Sequence, residues 1–383
     1  MAFFTPAPAQ KTALGRYRQL APAAAVHVSP LQLGGLTIGD KWQKFGMGET
    51  TKESSFKLLD AYFDKGGNFL DTANFYQEGT SQAFIGEWAE SRGIRDQLFI
   101  ATKYSVNFKQ NDNTIAQQVM YGGNGMKSMR LSVKDSLKNL RTDYIDLFYV
   151  HVWTWDTSIE ELMHGLHNLV TQGKVLYLGV TDTPAWVVSK ANQYARCNGL
   201  TQFSVYQGEW SILQRALERE IIPMARSEGM AIAPWGVMAA GKLRTDAEEE
   251  ARLKSGENGR TVFSPEWKRN EAERAASLAL EKVANEVGAK SITSVAIAYV
   301  LHKAPFVFPI IGARKIEHLE QNIEALELSL TEKQIQFLES ANAFELGFPH
   351  HISGSGDTLS PWLALAGVTD KVQNHPPIQP SKE

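Results

Sequence analysis

Cysteine is almost missing from this 383-residue chain, in which Cys197 is the only one. A single cysteine excludes an intramolecular disulfide and any metal site built from several thiolates. His164 and His167 lie in one predicted helix but have no third ligand beside them, so we expect surface histidines and no metal site. Together these features predict an intracellular, cytoplasmic protein.

Long apolar runs and a strong excess of one charge are missing as well. No stretch approaches the ~20 apolar residues that span a bilayer, and the beginning MAFFTPAPAQ lacks the pattern of a signal peptide. The net charge of -3 and the pI near 6.3 provide no basic surface for nucleic acid or an anionic membrane. We therefore expect a small molecule as the partner, while the oligomeric state stays open.

The sequence does contain a regular alternation of strand-like and helix-like segments. Eight buried, strand-like segments are each followed by helical periodicity, at residues 31–34, 68–71, 98–103, 144–151, 175–181, 202–207, 230–235 and 306–312. Such alternation is typical of parallel strands joined by crossover helices. Because a doubly wound sheet usually has fewer units, we predict a closed (β/α)8 barrel. One domain over residues 1–383 is expected, with a core at about 28–343 and a C-terminal tail at 344–383.

Three segments interrupt this alternation, at residues 104–126, 242–267 and 344–383. Loops of this length in a compact domain are often functional. The first two follow strands and should lie on one rim of the barrel, so we interpret them as candidate lids. The run EEEARLK inside the second is interpreted as a solvated helical face.

Polar residues end most of the predicted strands, and in a (β/α)8 barrel the strand ends form the active site. The residues at these ends are Asp71, Lys103, His151, Thr181, Asp182, Gln207, Trp235, Gly312 and Arg314. Taken singly, each has an ordinary structural interpretation, such as a helix cap or a surface lysine. Three of them, Asp71, Lys103 and His151, end neighbouring strands and must share a small space.

That proximity predicts acid–base chemistry. Burying Lys103 requires a counter-ion, which Asp71 on the next strand can provide. Tyr76 follows Asp71 by five residues and can reach back over the rim. A phenol titrates near ~10, and we expect the ammonium of Lys103 to lower the pKa of Tyr76. Tyr76 would then be a general acid toward a carbonyl oxygen, with His151 donating a second hydrogen bond to it.

At these positions the chain resembles a known family. The motifs DTANFY (71–76), ATK (101–103) and YVH (149–151) are similar to the catalytic tetrad of the aldo-keto reductase superfamily. The resemblance continues through LGVTD, VYQGEW, APWGVMAAGKL and PIIGARKIEHLEQNIEAL, so it covers nearly the whole barrel. Within the superfamily, GDKW and YLGVTDTPAWVVSKAN resemble the fungal aryl-alcohol dehydrogenases and their norsolorinic-acid-reductase-like relatives. The resemblance implies carbonyl reduction with Tyr76 as proton donor.

The resemblance also implies NADP(H), bound without a Rossmann fold, and GGLTIG (34–39) indeed has the wrong glycine spacing for one. The family's cofactor positions fall on Gly34, Gly35, Leu36, Asp71, Thr181, Asp182, Gln207, Trp210, Trp235, Gly236, Val237, Met238, Gly241, Lys242, Leu243, Gly312, Arg314, His318, Gln321 and Asn322. Trp210 is expected to stack on the nicotinamide, with Gln207 and the pair Thr181–Asp182 at the carboxamide.

Two positions depart from the family pattern. Asp182 stands where an asparagine is usual, and Gly236 stands where many relatives have serine. At the other end of the cofactor, Arg314 and Lys315 precede a predicted helix. Cations at a helix N-terminus suit the 2′-phosphate that NAD lacks, which favours NADP over NAD.

Aromatic residues cluster around the presumed rim and predict an aromatic aldehyde as substrate, reduced reversibly to its alcohol. They are Trp42, Phe45, Tyr104, Phe108, Trp153, Trp155 and Trp210, of which Trp42, Tyr104, Trp153 and Trp155 are the candidate pocket residues. A tryptophan in a lid can equally serve to anchor that lid. Two alternatives stay open: a ketone or hemiacetal reductase of fungal polyketide biosynthesis, and an NADPH-sensing regulatory subunit, because the superfamily includes potassium-channel β subunits.

Overall fold

A closed barrel of eight parallel strands forms the centre of the computed structural model, which describes residues 7–43, 50–256 and 267–380. A hairpin precedes it, with strands β1 (Arg18–Ala21) and β2 (Ala24–Val28). The barrel strands are β3 (Gln32–Gly34), β4 (Phe69–Asp71), β5 (Phe99–Tyr104), β6 (Ile145–Val150), β7 (Val175–Thr181), β8 (Phe203–Glu209), β9 (Ala231–Trp235) and β10 (Ile310–Ile311). Their order is β10-β3-β4-β5-β6-β7-β8-β9, and Val307 bridges to Ile232 of β9. The (β/α)8 barrel is therefore confirmed.

Helices follow the barrel strands, as the alternation predicted, and three further helices beyond residue 331 were not predicted. They are α1 (Lys52–Asp64), α2 (Thr80–Arg92), α3 (Met126–Asn139), α4 (Ile159–Thr171), α5 (Ala185–Asn198), α6 (Ile221–Glu228), α7 (Asp246–Ser255), α8 (Glu271–Val287), α9 (Ile292–Leu301), α10 (Ile316–Glu324), α11 (Glu332–Ser340), α12 (His350–Ser353) and α13 (Pro361–Ala364). Thr51, Ser158 and Asn270 cap α1, α4 and α8 by accepting backbone amides. No described helix has the length and apolarity needed to cross a membrane.

The interior of the barrel is an apolar core that the N-terminal hairpin completes. Phe69 packs against Phe99 and Phe308, with ring centroids 5.0 and 6.2 Å away. Leu20 and Val28 of the hairpin are fully buried in the same cluster. The hairpin therefore fills the N-terminal end of the barrel. The hairpin ends at Val28, where the predicted barrel core begins.

One predicted strand is shorter in the structure, and one helical region has two parts. Between β8 and β9, a short 3-10 turn, Ala216–Glu218, precedes α6. The predicted strand 306–312 pairs regularly only at β10, because Pro309 has no amide hydrogen to donate to a neighbouring strand.

The long loops and the tail also have a defined course. The run EEEARLK lies on α7, none of whose residues is buried within the described part of the chain, so the solvated helical face is confirmed. Residues 257–266 of that candidate lid lie outside the described residues. The C-terminal tail lies against α6. Asp357 forms an ion pair with Arg226 at 2.5 Å, and His350 forms a hydrogen bond with Glu220 at 2.8 Å.

A glycine on β7 makes room for a tyrosine inside the barrel. Gly179 pairs with Tyr149 of β6 on one side and Val205 of β8 on the other. A Cβ at residue 179 would lie 2.4 Å from Cε1 of the Tyr149 ring, far inside van der Waals contact. The glycine of the motif LGVTD is therefore required, because a side chain at residue 179 would clash with the Tyr149 ring.

We predict that Gly179→Ala destabilises the protein by about 1–3 kcal/mol, because the added methyl group must displace the Tyr149 ring or the strands. Thermal unfolding measures this as a lower Tm. Gly367→Ala is the control, since its Cβ would meet nothing within 4 Å. Equal Tm values for both variants would contradict the steric argument.

Candidate active site

A buried ion pair occupies the C-terminal mouth of the barrel. Lys103, fully buried at the end of β5, donates to Oδ2 of Asp71 on β4 at 2.6 Å and to the carbonyl oxygen of Thr72 at 2.8 Å. Gln207 of β8 donates to the other carboxylate oxygen of Asp71 at 2.9 Å. Parallel strands with matched register thus bring together side chains that are far apart in the sequence.

Tyr76 lies directly above this pair. Its hydroxyl is 3.5 Å from Nζ of Lys103, and the same ammonium lies 4.9 Å from the centre of the Tyr76 ring. Desolvation raises the pKa of Tyr76 well above 10, and the charges of Asp71 and Asp182 raise it further. Burial also lowers the pKa of Lys103, although Asp71 opposes that shift.

The expectation that Lys103 lowers the pKa of Tyr76 was therefore wrong for the protein alone. Lys103 lies closer to the Asp71 carboxylate than to the phenol, so its positive charge is largely compensated there. The phenol consequently stays protonated at neutral pH. A protonated phenol is the form that a proton donor needs.

His151 borders the same space. Its ring stands edge-on to Tyr76, with the centroids 6.0 Å apart, and its Nδ1 has no hydrogen-bond partner among the described residues. Burial, with the charge of Lys103 in addition, lowers the pKa of His151 well below 6.5. The imidazole is therefore neutral at pH 7 and suited to hydrogen bonding with an uncharged group.

Two residues that the sequence analysis did not single out, Phe75 and Gln77, lie beside Tyr76. Phe75 contacts Tyr76, His151 and Trp42, with ring centroids 5.0, 5.3 and 5.6 Å away. Gln77 accepts the backbone amide of Trp42 at 2.8 Å and so holds the loop after β3 beside Tyr76. Gln77 has a φ of 54°, a strained value for a residue with a side chain. The strained backbone marks Gln77 as a constrained position, and no sequence pattern predicts this strain.

Comparison with known proteins agrees with this arrangement of strand ends. The sequence profile of the Aldo/keto reductase family matches residues 30–343. The chain belongs to the aldo/keto reductase family. It is 59% identical to a Phanerodontia chrysosporium protein named aryl-alcohol dehydrogenase (NADP(+)), over 100% of both chains.

Two further similar members of the aldo/keto reductase family are named norsolorinic acid reductases. The chain is 50% identical to norsolorinic acid reductase B of Dothistroma septosporum, over 87% of this chain and 83% of that protein. It is 49% identical to norsolorinic acid reductase A of Aspergillus parasiticus, over 90% and 85% of the two chains. The predicted subgroup of the family is therefore confirmed.

The positions expected to bind the nicotinamide of an aldo/keto reductase lie at the mouth, but several are engaged with one another. Thr181 donates to Oδ2 of Asp182 at 2.6 Å, and Nε1 of Trp235 donates to Oδ1 of Asp182 at 3.2 Å. Desolvation raises the pKa of Asp182, against the effect of these two hydrogen bonds. Gln207 is 3% exposed, because its amide turns inward to Asp71.

Trp210 and Tyr104 do not lie where the sequence suggested. Trp210 is fully buried, and its indole donates to Glu218 at 3.1 Å, so its ring cannot stack on a ligand at the mouth. Tyr104 is also fully buried and stacks on Phe148, because it faces outward from β5 toward the helices. The half-buried Trp235 is the aromatic side chain beside Asp182.

The segment after β9 has unusual backbone geometry that fits an anionic group. Gly236, Ala239, Ala240 and Gly241 all have positive φ, and the two alanines are strained in this region. Backbone concavities with left-handed residues often bind phosphates. Within this segment Val237 and Leu243 are buried, Met238 packs against the core, and Lys242 donates to the carbonyl of Lys268 at 2.6 Å. These side chains would have to rearrange to contact a ligand, and the backbone amides of Ala239 and Gly241 already donate to carbonyls of the same turn, at 2.7 and 2.8 Å.

The region predicted to bind the adenosine end of the cofactor contains a group of cations. Arg314, Lys315 and Arg252 of α7 all lie close enough to His318 to lower its pKa, after the larger effect of desolvation. Helix α10 begins after Lys315 without a side-chain cap. Gly312 and Gln321 are exposed here, whereas the buried Asn322 donates to the Gly312 carbonyl at 3.3 Å and holds the loop. Arg252 was missed because the run EEEARLK is acidic overall.

At the start of the barrel, Gly34 and Gly35 serve packing. A Cβ at Gly34 would lie 2.9 Å from Ile310, and one at Gly35 would lie 3.0 Å from the Asp71 carbonyl oxygen. The carbonyl of Leu36 accepts the side-chain amide of Gln77 at 2.9 Å. These contacts bring β3 close to Asp71.

The remaining aromatic residues separate into anchors and an exposed pair. Trp153 packs against the core, and Phe108 is buried against Tyr121, so both anchor their loops. Trp155 is 65% exposed and faces Trp186 at the start of α5, which is 60% exposed, with ring centroids 6.3 Å apart. Phe45 lies outside the described residues.

We predict that Tyr76→Phe removes the hydroxyl proton and lowers kcat for carbonyl reduction by about 10²–10⁴-fold, while the Kd for NADPH stays nearly unchanged. Steady-state kinetics and a fluorescence titration measure the two quantities. Tyr17→Phe, at an exposed tyrosine far from the mouth, is the control. Full turnover by Tyr76→Phe would refute the assignment.

Proposed function

We propose that this protein is an NADP(H)-dependent oxidoreductase that reduces aromatic aldehydes to alcohols and also catalyses the reverse reaction. The observation that carries this proposal is the Tyr76 hydroxyl, held 3.5 Å from Nζ of the buried Lys103, which pairs with Asp71. The relative named aryl-alcohol dehydrogenase (NADP(+)), 59% identical over the full length of both chains, supports the choice of substrate and cofactor.

The side chains at the mouth account for the proton chemistry. The bound reduced nicotinamide supplies the hydride to the carbonyl carbon. Tyr76 gives its proton to the carbonyl oxygen, and the ammonium of Lys103 stabilises the phenolate that remains. Asp71 keeps Lys103 charged, and His151 orients the same oxygen by a hydrogen bond. In alcohol oxidation each of these proton movements is reversed.

The cation group at the adenosine end supports NADP(H) over NAD(H). Arg252, Arg314 and Lys315 surround His318 at the uncapped start of α10. The extra phosphate of NADP(H) carries about two negative charges and forms strong bonds with guanidinium groups. The backbone of residues 236–241 is the proposed pyrophosphate site.

The exposed pair Trp155–Trp186 supports an aromatic substrate, because such rings can stack on a planar ligand at the loop ends. A second candidate function is a ketone reductase of fungal polyketide biosynthesis. The identity of about half with two norsolorinic acid reductases favours it. A cytoplasmic location and the absence of nucleic-acid partners stay predictions from composition.

We predict multiple-turnover NADPH oxidation with benzaldehydes that carry methoxy or chloro substituents, at a higher kcat/KM than with short aliphatic aldehydes. Absorbance at the NADPH band measures the rate, and the Tyr76→Phe variant gives the background. A preference for polycyclic aromatic ketones would favour the second candidate. A single turnover with every substrate would contradict both enzymatic functions.

We predict that Arg252→Ala raises the Kd for NADPH by about ten- to a hundredfold and leaves the Kd for NADH nearly unchanged, because one charged hydrogen bond is worth ~1.5–3 kcal/mol. The matched control is Lys254→Ala, which removes an 80% exposed cation from the same helix. If both variants weaken NADPH and NADH equally, Arg252 does not contact the 2′-phosphate.

A further inference from the structure

Asp182 places a carboxylate on the rim of the barrel mouth. It directly follows β7 and is exposed, and its backbone amide donates to the carbonyl oxygen of Gln207 at 3.1 Å. Gln207 in turn donates its side-chain amide to Asp71, the partner of Lys103. Hydrogen bonds through Gln207 thus connect Asp182 to the buried ion pair.

Neutral groups hold the Asp182 carboxylate in place. The Thr181 hydroxyl donates to Oδ2 at 2.6 Å, and the Trp235 indole donates to Oδ1 at 3.2 Å. Because each oxygen accepts a hydrogen bond and the residue reaches solvent, the ionised form is favoured at neutral pH, although desolvation raises the pKa of Asp182. Neither donor compensates the negative charge.

The other groups around Tyr76 do not compensate that charge either. Lys103 is bonded to Asp71 at 2.6 Å, so the two charges largely cancel. Burial lowers the pKa of His151 well below 6.5 and raises that of Tyr76 well above 10, so both side chains are neutral at pH 7. The charge of Asp182 therefore acts on any ligand that lies over the mouth.

A second carboxylate lies on the same rim and adds to this charge. Glu209 ends β8, pairs in register with Trp235 and is exposed. Its Cγ lies 3.3 Å from the position that a Cβ of Gly236 would take, so its side chain lies against the start of the segment after β9. The rim around Trp235 is therefore negative.

The two forms of the cofactor differ in the charge of the ring that lies over this mouth. The ring must lie here, because Tyr76 protonates the oxygen of the same carbonyl group that accepts the hydride. The nicotinamide of NADP(+) is a cation, whereas that of NADPH is neutral, and both forms have the same carboxamide and phosphates. A hydrogen bond to the carboxamide consequently stabilises both forms, whereas a nearby charge distinguishes them.

We propose that Asp182 makes this site prefer the oxidised cofactor, because its carboxylate stabilises the cationic ring of NADP(+) and has little effect on the neutral ring of NADPH. This inference rests on the proposed function, which requires the nicotinamide at the mouth. A site that binds NADP(+) more tightly than NADPH makes the bound NADPH a stronger hydride donor. It also retains NADP(+) longer after carbonyl reduction.

Binding titrations of the two cofactor forms to the enzyme without substrate test this preference without turnover. Asp182→Asn keeps the size of the side chain, and asparagine tolerates the φ of 48° at this residue. We expect the Kd for NADPH divided by the Kd for NADP(+) to fall by about three- to fiftyfold. Coulomb's law gives this range for one charge ~7 Å from the ring at effective dielectric constants of ~20–80. Isothermal titration calorimetry measures both Kd values.

Two further variants separate the lost charge from a lost contact. Asp182→Ser removes the same charge with a shorter side chain and should lower the ratio of Kd values as Asp182→Asn does. Asp143→Asn removes an exposed carboxylate just before β6, at the opposite end of the barrel, and should keep the ratio of the wild type. If both Asp182 variants leave the ratio unchanged, the proposal is overturned, even when both Kd values rise, because an equal loss indicates a lost hydrogen bond.

The same titrations distinguish this inference from the proposed function. If the wild type binds neither NADPH nor NADP(+), the proposed function fails and this inference with it. If the wild type binds both forms and reduces aldehydes, but its ratio of Kd values equals that of the Asp182 variants, the function stands and the preference for NADP(+) is refuted.

Discussion

The ion pair between Lys103 and Asp71 is the interaction on which the mouth of this barrel depends. Removing two charges from water is costly, and the cost is recovered only when every donor and acceptor is matched. Lys103 therefore needs Asp71 and the Thr72 carbonyl, and Asp71 needs a donor on each oxygen. The two strand ends cannot move apart without exposing an unmatched charge.

This constraint extends to residues that have no charge. Tyr149 fits beside Lys103 because Gly179 has no side chain, and the loop with Trp42 is held by Gln77 in a strained conformation. The buried side chains around Lys103 and the loop that Gln77 holds together define where a carbonyl group can lie. A strained backbone is expected where surrounding contacts fix a functional geometry.

The sequence predicted the parts of the structure that follow from periodicity and register. The strand at residues 175–181 matches β7. Asp71, Lys103 and His151 meet as strand-end positions should, with Tyr76 beside them on the segment after β4. The predictions failed where the result depends on the direction in which a side chain points or on the combined effect of several nearby charges. Alternation along a short strand did not show that Tyr104 faces the helices. Desolvation, followed by the charges of Asp71 and Asp182, raises the pKa of Tyr76, whereas the sequence alone suggested only the opposite effect of the Lys103 ammonium.

The hairpin of β1 and β2 has a consequence for access to the site. Its apolar side chains fill the N-terminal end of the barrel, so among the described residues the opposite end, where Tyr76 lies, is the one at which a ligand can meet the strand ends. A cofactor and a substrate must then share one face of the barrel, and each limits the room that the other can occupy.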